Sequence, residues 1–149
     1  MAGNSTSRAV VLVGPSSAGK TTLMRELCAL LPDRRKGVTE VARSLMREEG
    51  ITRVQLEEWL MEEKRGGANA GFSRFQRRVL ARVNQMEKLH FSSSGDRDRK
   101  NLVVFDRGGV DPIVYAKIYV SSGTGQELAV TQDAREVFER YRRQDVLVV

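Results

Sequence analysis

The sequence has little of what several protein classes depend on. Its 149 residues include one cysteine, Cys28, so no disulfide can close within the chain. That suits a reducing compartment, and a cytoplasmic location is expected. The lone histidine, His90, falls on the apolar face of a predicted helix and reads as a packing residue rather than a ligand. Aromatic residues are only 6% of the chain, too few for a base-stacking platform, which argues against a nucleic-acid surface. No apolar run approaches the roughly 20 residues needed to span a bilayer. The opening MAGNSTSR is polar and carries no apolar segment, so it reads as a flexible tail (residues 1–8) rather than a secretory signal.

What is present is ordinary in amount, with 40% hydrophobic and 30% charged residues, enough for one domain with its own core over residues 9–149. The net charge of +6 favours anionic partners, of which nucleotides and an acidic membrane surface are the candidates. The basic residues are spread along the chain, at Arg34 to Lys36, Arg77-Arg78, Arg97 to Lys100 and Arg142-Arg143, as solvated faces and loops require.

Patterning predicts short apolar strands alternating with helices. A strand over 9–13 leads through a glycine-bearing loop into a helix from about 20 to 31, stopped by Pro32. A short strand near 37–39 precedes a helix through EVARSLMREEG ending at Gly50, and a third helix covers about 53–64. A flexible joint then runs to Gly71. Phe72, Phe75, Val79, Val83, Met86 and His90 recur at helical spacing over some 20 residues. After the polar SSSGDRDRK loop come the strand NLVVFD, helices near 111–121 and 131–142, and an apolar strand in DVLVV. Val146 to Val149 show no alternation, which predicts a strand buried on both faces beside the strand at 9–13. The class expected is α/β, three layers around a parallel sheet, with ligands beyond the carboxyl ends of the strands.

Gly14-Pro15-Ser16-Ser17-Ala18-Gly19-Lys20-Thr21 matches G-x-x-x-x-G-K-[ST] between a strand and a helix. Glycines let successive N–H groups curl toward one point, where the helix also directs its positive dipole end. The loop is built to hold a polyphosphate, ATP or GTP. Lys20 would contact the outer phosphates, Thr21 would ligate Mg²⁺, and Thr22 would add a contact to the innermost phosphate. Asp106 ends an apolar strand, the position of a carboxylate that organises Mg²⁺, and Arg107 beside it suits a moving phosphoryl group or an anionic substrate. The structural alternative for Asp106 is a turn cap. Asp111 and Tyr115 follow closely enough to touch substrate. Cys28 reads as a small core residue, and Trp59 with Val54, Leu56 and Leu60 reads as core cover in preference to an acceptor pocket.

GPSSAGKTTL, EVAR at Glu40 to Arg43, and VVFDRGGVDPIVYA together resemble the NadR-like AAA domain family, from about residue 9 to the end. That family joins nicotinamide riboside kinase domains with eukaryotic relatives that bind nucleotide and, in some cases, phosphoinositides. The resemblance implies a kinase-like P-loop fold, a small nucleoside-like acceptor, and acceptor-side roles for Glu40 and Arg43. Glu40 would be a base or a ligand to Mg²⁺-bound water, and Arg43 an anion contact. Local structure offers another account, with Thr39 as helix cap, Glu40 as a first-turn acid and Arg43 as its i+3 partner. The family pattern continues into a further strand and an arginine-bearing lid, so the resemblance predicts a domain truncated at its C-terminus. The reading is an ATP/Mg²⁺-dependent phosphotransferase with Lys20, Asp106, Arg107 and Glu40 at its centre. The rival is a non-catalytic nucleotide switch that binds lipid headgroups or a protein partner.

Overall fold

The computed structural model describes residues 9–15, 18–30, 35–38, 40–92, 102–143 and 146–149, of which 35–38, 92 and 102 as backbone alone. The expectations for the tail, Ser16, Ser17, Pro32, Thr39 and the SSSGDRDRK loop beyond Ser92 fall outside these residues.

Four parallel strands form one sheet. They are β1 (Ala9–Leu12), β2 (Arg35–Val38), β3 (Leu102–Asp106) and β4 (Val146–Val148), in the order β2-β3-β1-β4. All of β1 is buried, and its side chains divide between the two faces as strand geometry dictates. Val10 and Leu12 pack with Val104 and with Met24 of α1 (Lys20–Leu30), where Leu27 and Cys28 join them. Ala9 and Val11 pack with Phe105 and Val146 on the other face, against Met86 and Phe91 of α4 (Gly71–Ser92). Helices therefore cover both faces, the three-layer arrangement that a continuous apolar strand requires. His90 packs edge-on against Phe105 at 5.6 Å, as a core histidine does.

The helices α2 (Val41–Glu49) and α3 (Arg53–Lys64) fall where patterning puts them. Gly50 closes α2 in the left-handed conformation, and the Thr52 hydroxyl accepts from the Gln55 N–H to start α3. The joint after α3 is a hydrogen-bonded turn, in which the Gly67 N–H donates to the Glu62 carbonyl and the Asn69 amide to the Glu62 carboxylate. Trp59 lies against Gly71 at the start of α4.

Three expectations need correction. The helix expected near 111–121 is α5 (Val110–Tyr115) followed by a π-helical turn, Ala116–Val120, closed by the Ser121 N–H on the Ala116 carbonyl. A further helix, α6 (Ser122–Ala129), was not expected, because Gly123 and Gly125 depress its propensity. The Ser121 hydroxyl caps it by accepting from the Thr124 N–H, and Leu128 anchors it in the core. Finally, β4 pairs with β1 as expected, in the register Ala9–Val146 to Val11–Val148, but it is not buried on both faces. Only Val146 is buried, whereas Leu147 is 50% exposed, because among the described residues β4 is the last strand of the sheet and pairs with β1 alone.

The last helix, α7 (Gln132–Tyr141), docks on α4 through a buried polar network invisible to hydrophobic patterning. Arg140 donates to Glu87 Oε1 at 3.3 Å and to Asn84 Oδ1 at 2.9 Å, and the Tyr141 hydroxyl donates to Glu87 Oε2 at 3.1 Å. Burial pushes the Glu87 carboxyl up to about 7 from its ordinary 4.5, outweighing the opposing pull of Arg140 and Tyr141. The raised value means that the folded state holds this proton where the unfolded chain releases it. The resulting stabilisation is complete below about pH 4.5 and is lost as pH rises through about 7. Urea titrations at pH 5 and pH 8 should therefore show the wild type losing about 2–3 kcal/mol more than Glu87→Gln, whose amide does not titrate. Equal losses in both proteins would contradict a protonated Glu87.

Candidate functional site

The site lies at the carboxyl ends of β1 and β3, where the register sets Leu12 beside Asp106. Past Leu12 the chain turns at Gly14 (φ 138°) and again at Gly19 (φ 82°), backbone conformations that side chains with a Cβ rarely adopt. This double turn returns the chain to start α1 at Lys20. The Lys20 side chain is buried back along the loop, its Nζ donating to the Gly14 carbonyl at 3.0 Å and to the Pro15 carbonyl. The Thr21 hydroxyl donates to Asp106 Oδ2 at 2.6 Å, so the loop's hydroxyl and the strand's carboxylate meet across 85 positions of sequence.

Asp111, expected near substrate, ties the loop after β1 to the turn after β3. It accepts from the Gly14 N–H at 3.2 Å and the Gly108 N–H at 3.4 Å, and burial raises its pKa above the ordinary carboxylate value. Gly108 itself admits no side chain, because a Cβ there would stand 2.5 Å from the Tyr141 hydroxyl and 2.6 Å from Val11. The neighbouring Gly109 N–H donates to that same hydroxyl at 2.9 Å, which links the turn to the Glu87 network. Between Asp106 and Gly108, Arg107 is held at φ 83°, the only non-glycine at positive φ among the described residues. Such strain persists only where the surroundings hold it. Here they do: the Arg107 guanidinium pairs with Glu40 Oε1 at 3.1 Å and donates to the Tyr115 hydroxyl.

Glu40 stands at the N-cap position of α2, yet its side chain makes no capping bond. One carboxylate oxygen holds Arg107 and the other pairs with Arg43 Nε at 3.1 Å. The i+3 pairing expected from local structure is therefore present, and Arg107 is its unexpected third member. Arg43 is 76% exposed and lies at the rim.

Two clefts meet at this group. A cleft of about 280 Å³ is lined by Ala18, Gly19, Lys20, Thr21, Thr22 and Asp106, together with Glu40, Arg43 and Arg107. The same last three residues line a second cleft of about 470 Å³, floored by apolar side chains of α2, α3 and α4 and walled by Asp111, Tyr115 and Tyr119. Leu56 and Leu60 line that floor and Trp59 does not, while Val54, expected as core cover with them, is 63% exposed. Two features were missed by sequence reasoning. The stacking of Tyr119 on Tyr115 at 5.7 Å depends on the π-helical turn, and Gln76 on the cleft floor sits within an apolar helix face.

A family model described as AAA domain matches residues 9–149, which covers the strand-loop-helix, both clefts and all four strands. The chain belongs to the AAA domain family. The AAA domain assignment carries a P-loop nucleotide-binding function, and the sheet order, the curled loop and the Thr21–Asp106 pair are its structural counterparts here. Neither the curated proteins nor the solved structures give a significant match. Among the described residues of this AAA domain, no helix is long and apolar enough to cross a membrane.

Proposed function

We propose that this AAA domain is a phosphotransferase that uses ATP or GTP with Mg²⁺ to phosphorylate a small, nucleoside-like acceptor. The observation that carries the reading is the junction of the two clefts. A polyphosphate-sized groove and a larger, apolar-floored cleft share the Glu40–Arg43–Arg107 group, where the outermost phosphate and an acceptor hydroxyl would meet. The resemblance to NadR-like kinase domains points the same way.

Thr21 and Asp106 suit Mg²⁺, which prefers hard oxygen donors and takes only one or two from protein. Bound there with nucleotide, the metal would neutralise phosphate charge. The chain's own groups then position and polarise. Lys20 exchanges its loop carbonyls for phosphate oxygens, and Arg107 presents its planar fork to the transferring group. With both oxygens engaged by guanidinium groups, Glu40 aims Arg107, and one oxygen freed by movement of Arg43 would accept from the incoming hydroxyl. No covalent nucleophile is required, since the catalysis is positioning plus electrostatics.

Product formation across a nucleoside panel with ATP and with GTP tests the reading. Turnover of at least one nucleoside is expected. Nucleotide binding without turnover, together with salt-sensitive pelleting on anionic vesicles, would replace the kinase by a switch that docks on lipid headgroups.

The metal assignment has its own test. Asp106→Asn is expected to bind nucleotide in EDTA nearly as the wild type does, while losing most of the affinity gained on adding Mg²⁺. Fluorescence titration of nucleotide with and without Mg²⁺ measures this. An unchanged Mg²⁺ dependence would leave Asp106 only as the hydrogen-bond partner of Thr21.

A further inference from the structure

The inward stripe of α4 lines the larger cleft with Phe72, Phe75, Gln76, Val79 and Val83. One of these is out of place. Gln76 is 6% exposed, on a stripe otherwise of hydrocarbon, and its amide has no hydrogen-bond partner among the described residues. Yet no fully enclosed side-chain nitrogen or oxygen there lacks a partner, so the Gln76 amide opens on the cleft rather than being sealed in the core. Asn84, two turns further along α4, shows how this fold treats an amide that is structural. Its nitrogen donates to Asp133 and Glu136, each at 2.8 Å, and its oxygen accepts from Arg140 at 2.9 Å. The charged groups of the same cleft are also engaged, Glu40 by two arginines and Asp111 by two backbone N–H groups. Among the described residues lining the cleft, Gln76 is the buried polar side chain left without a partner, whereas the Tyr119 ring is 43% exposed.

An amide that opens on a cleft is left unpaired when a ligand excludes water without replacing the partner, and a ligand that supplies one avoids that cost. A glutamine side chain presents a donor and an acceptor side by side in one plane. The complementary group is another planar amide-type edge, an N–H beside a C=O. We infer that Gln76 is a specificity-determining residue, which selects acceptors whose base carries a lactam edge and holds that edge on the cleft floor. This rests on the nucleoside-like acceptor proposed above. The ribose would then extend toward Glu40 and Arg107, and the apolar neighbours of Gln76 would exclude the water that otherwise satisfies it. Buried polar pairing of this kind discriminates strongly, because a ligand lacking the edge leaves the site's own amide unpaired.

Inosine and purine riboside test the idea, because they share a ring system and differ in that edge. Calorimetric titration of the full chain should give inosine about ten- to a hundred-fold tighter binding than purine riboside. Gln76→Leu should abolish that difference while leaving ATP affinity and the melting temperature at least at wild-type values. Gln76→Met keeps much of the length without either hydrogen-bonding group, and it should also abolish the preference if the leucine variant fails to fold. Equal binding of the two ribosides by the wild type, or selectivity that survives in Gln76→Met, would overturn the inference. Nucleosides phosphorylated without any Gln76-dependent selectivity would sink this inference alone. Gln76-dependent inosine binding with no phosphoryl transfer would support it and sink the kinase reading instead.

Discussion

Lys20→Ala is expected to weaken Mg²⁺-nucleotide binding about 30- to 150-fold, which corresponds to about 2–3 kcal/mol. The lysine is 9% exposed, and its ammonium group already sits inside the curl of the loop on the Gly14 and Pro15 carbonyls. Phosphate oxygens entering there replace neutral acceptors with charged ones, so the interaction strengthens on binding, and a truncated side chain forfeits it. The fold should tolerate the change. Lys20 lies at the first position of α1, where alanine is a good helix former, and its hydrogen bonds go only to the loop. Calorimetry on the wild type and the variant decides the matter, with the melting temperature as a control for folding. Equal dissociation constants would remove the loop from nucleotide binding altogether.

The second large effect concerns turnover. Arg107→Gly should lower kcat by about a hundred- to a thousand-fold for whichever nucleoside serves best, with less than about a ten-fold change in nucleotide affinity. Arg107 stands on the rim that the two clefts share, 12% exposed, and Glu40 and Tyr115 aim its guanidinium. In the proposed reaction, a group held there would meet charge that develops between donor and acceptor rather than the bound nucleotide. Glycine is the informative replacement because it adopts φ 83° without strain, so the melting temperature should stay near that of the wild type. Arg107→Lys should not restore the rate, since an ammonium group cannot keep contact with Glu40 and Tyr115 while also presenting a fork to phosphate. A glycine variant with wild-type kcat would reduce Arg107 to a structural link between β3 and α2.

Both effects involve residues whose chemistry could be read before the fold was known. Lys20 and Asp106 declare themselves because strand, loop and helix are contiguous there. A buried strand needs an unbroken apolar run, a phosphate cradle needs glycine at fixed offsets, and the helix needs to begin at once. The long amphipathic helix α4 is legible for the same reason, since its apolar stripe recurs at three- and four-residue steps. Where local propensity misled, a tertiary contact had overruled it. Two glycines hid α6, which forms because Ser121 caps it and Leu128 finds the core. An apolar run made β4 look buried on both faces, although only its Val146 is buried.

The sequence by itself determined that this is an α/β domain, that a glycine loop after its first strand is shaped for polyphosphate, and that a carboxylate and an arginine follow a second buried strand. Those features consist of neighbours in sequence, whose patterns are set by backbone geometry and solvent exposure. Only the tertiary structure decided that Asp111 bridges Gly14 and Gly108, that Glu40 holds Arg107 as well as Arg43, that Glu87 is buried beneath Tyr141, and that Gln76 faces a cleft instead of water. In sequence, a polar residue on a helix looks the same whether it meets solvent, a buried partner or a ligand. The difference arises only when the packing of distant elements removes the water around it, and that packing is set by the whole chain at once.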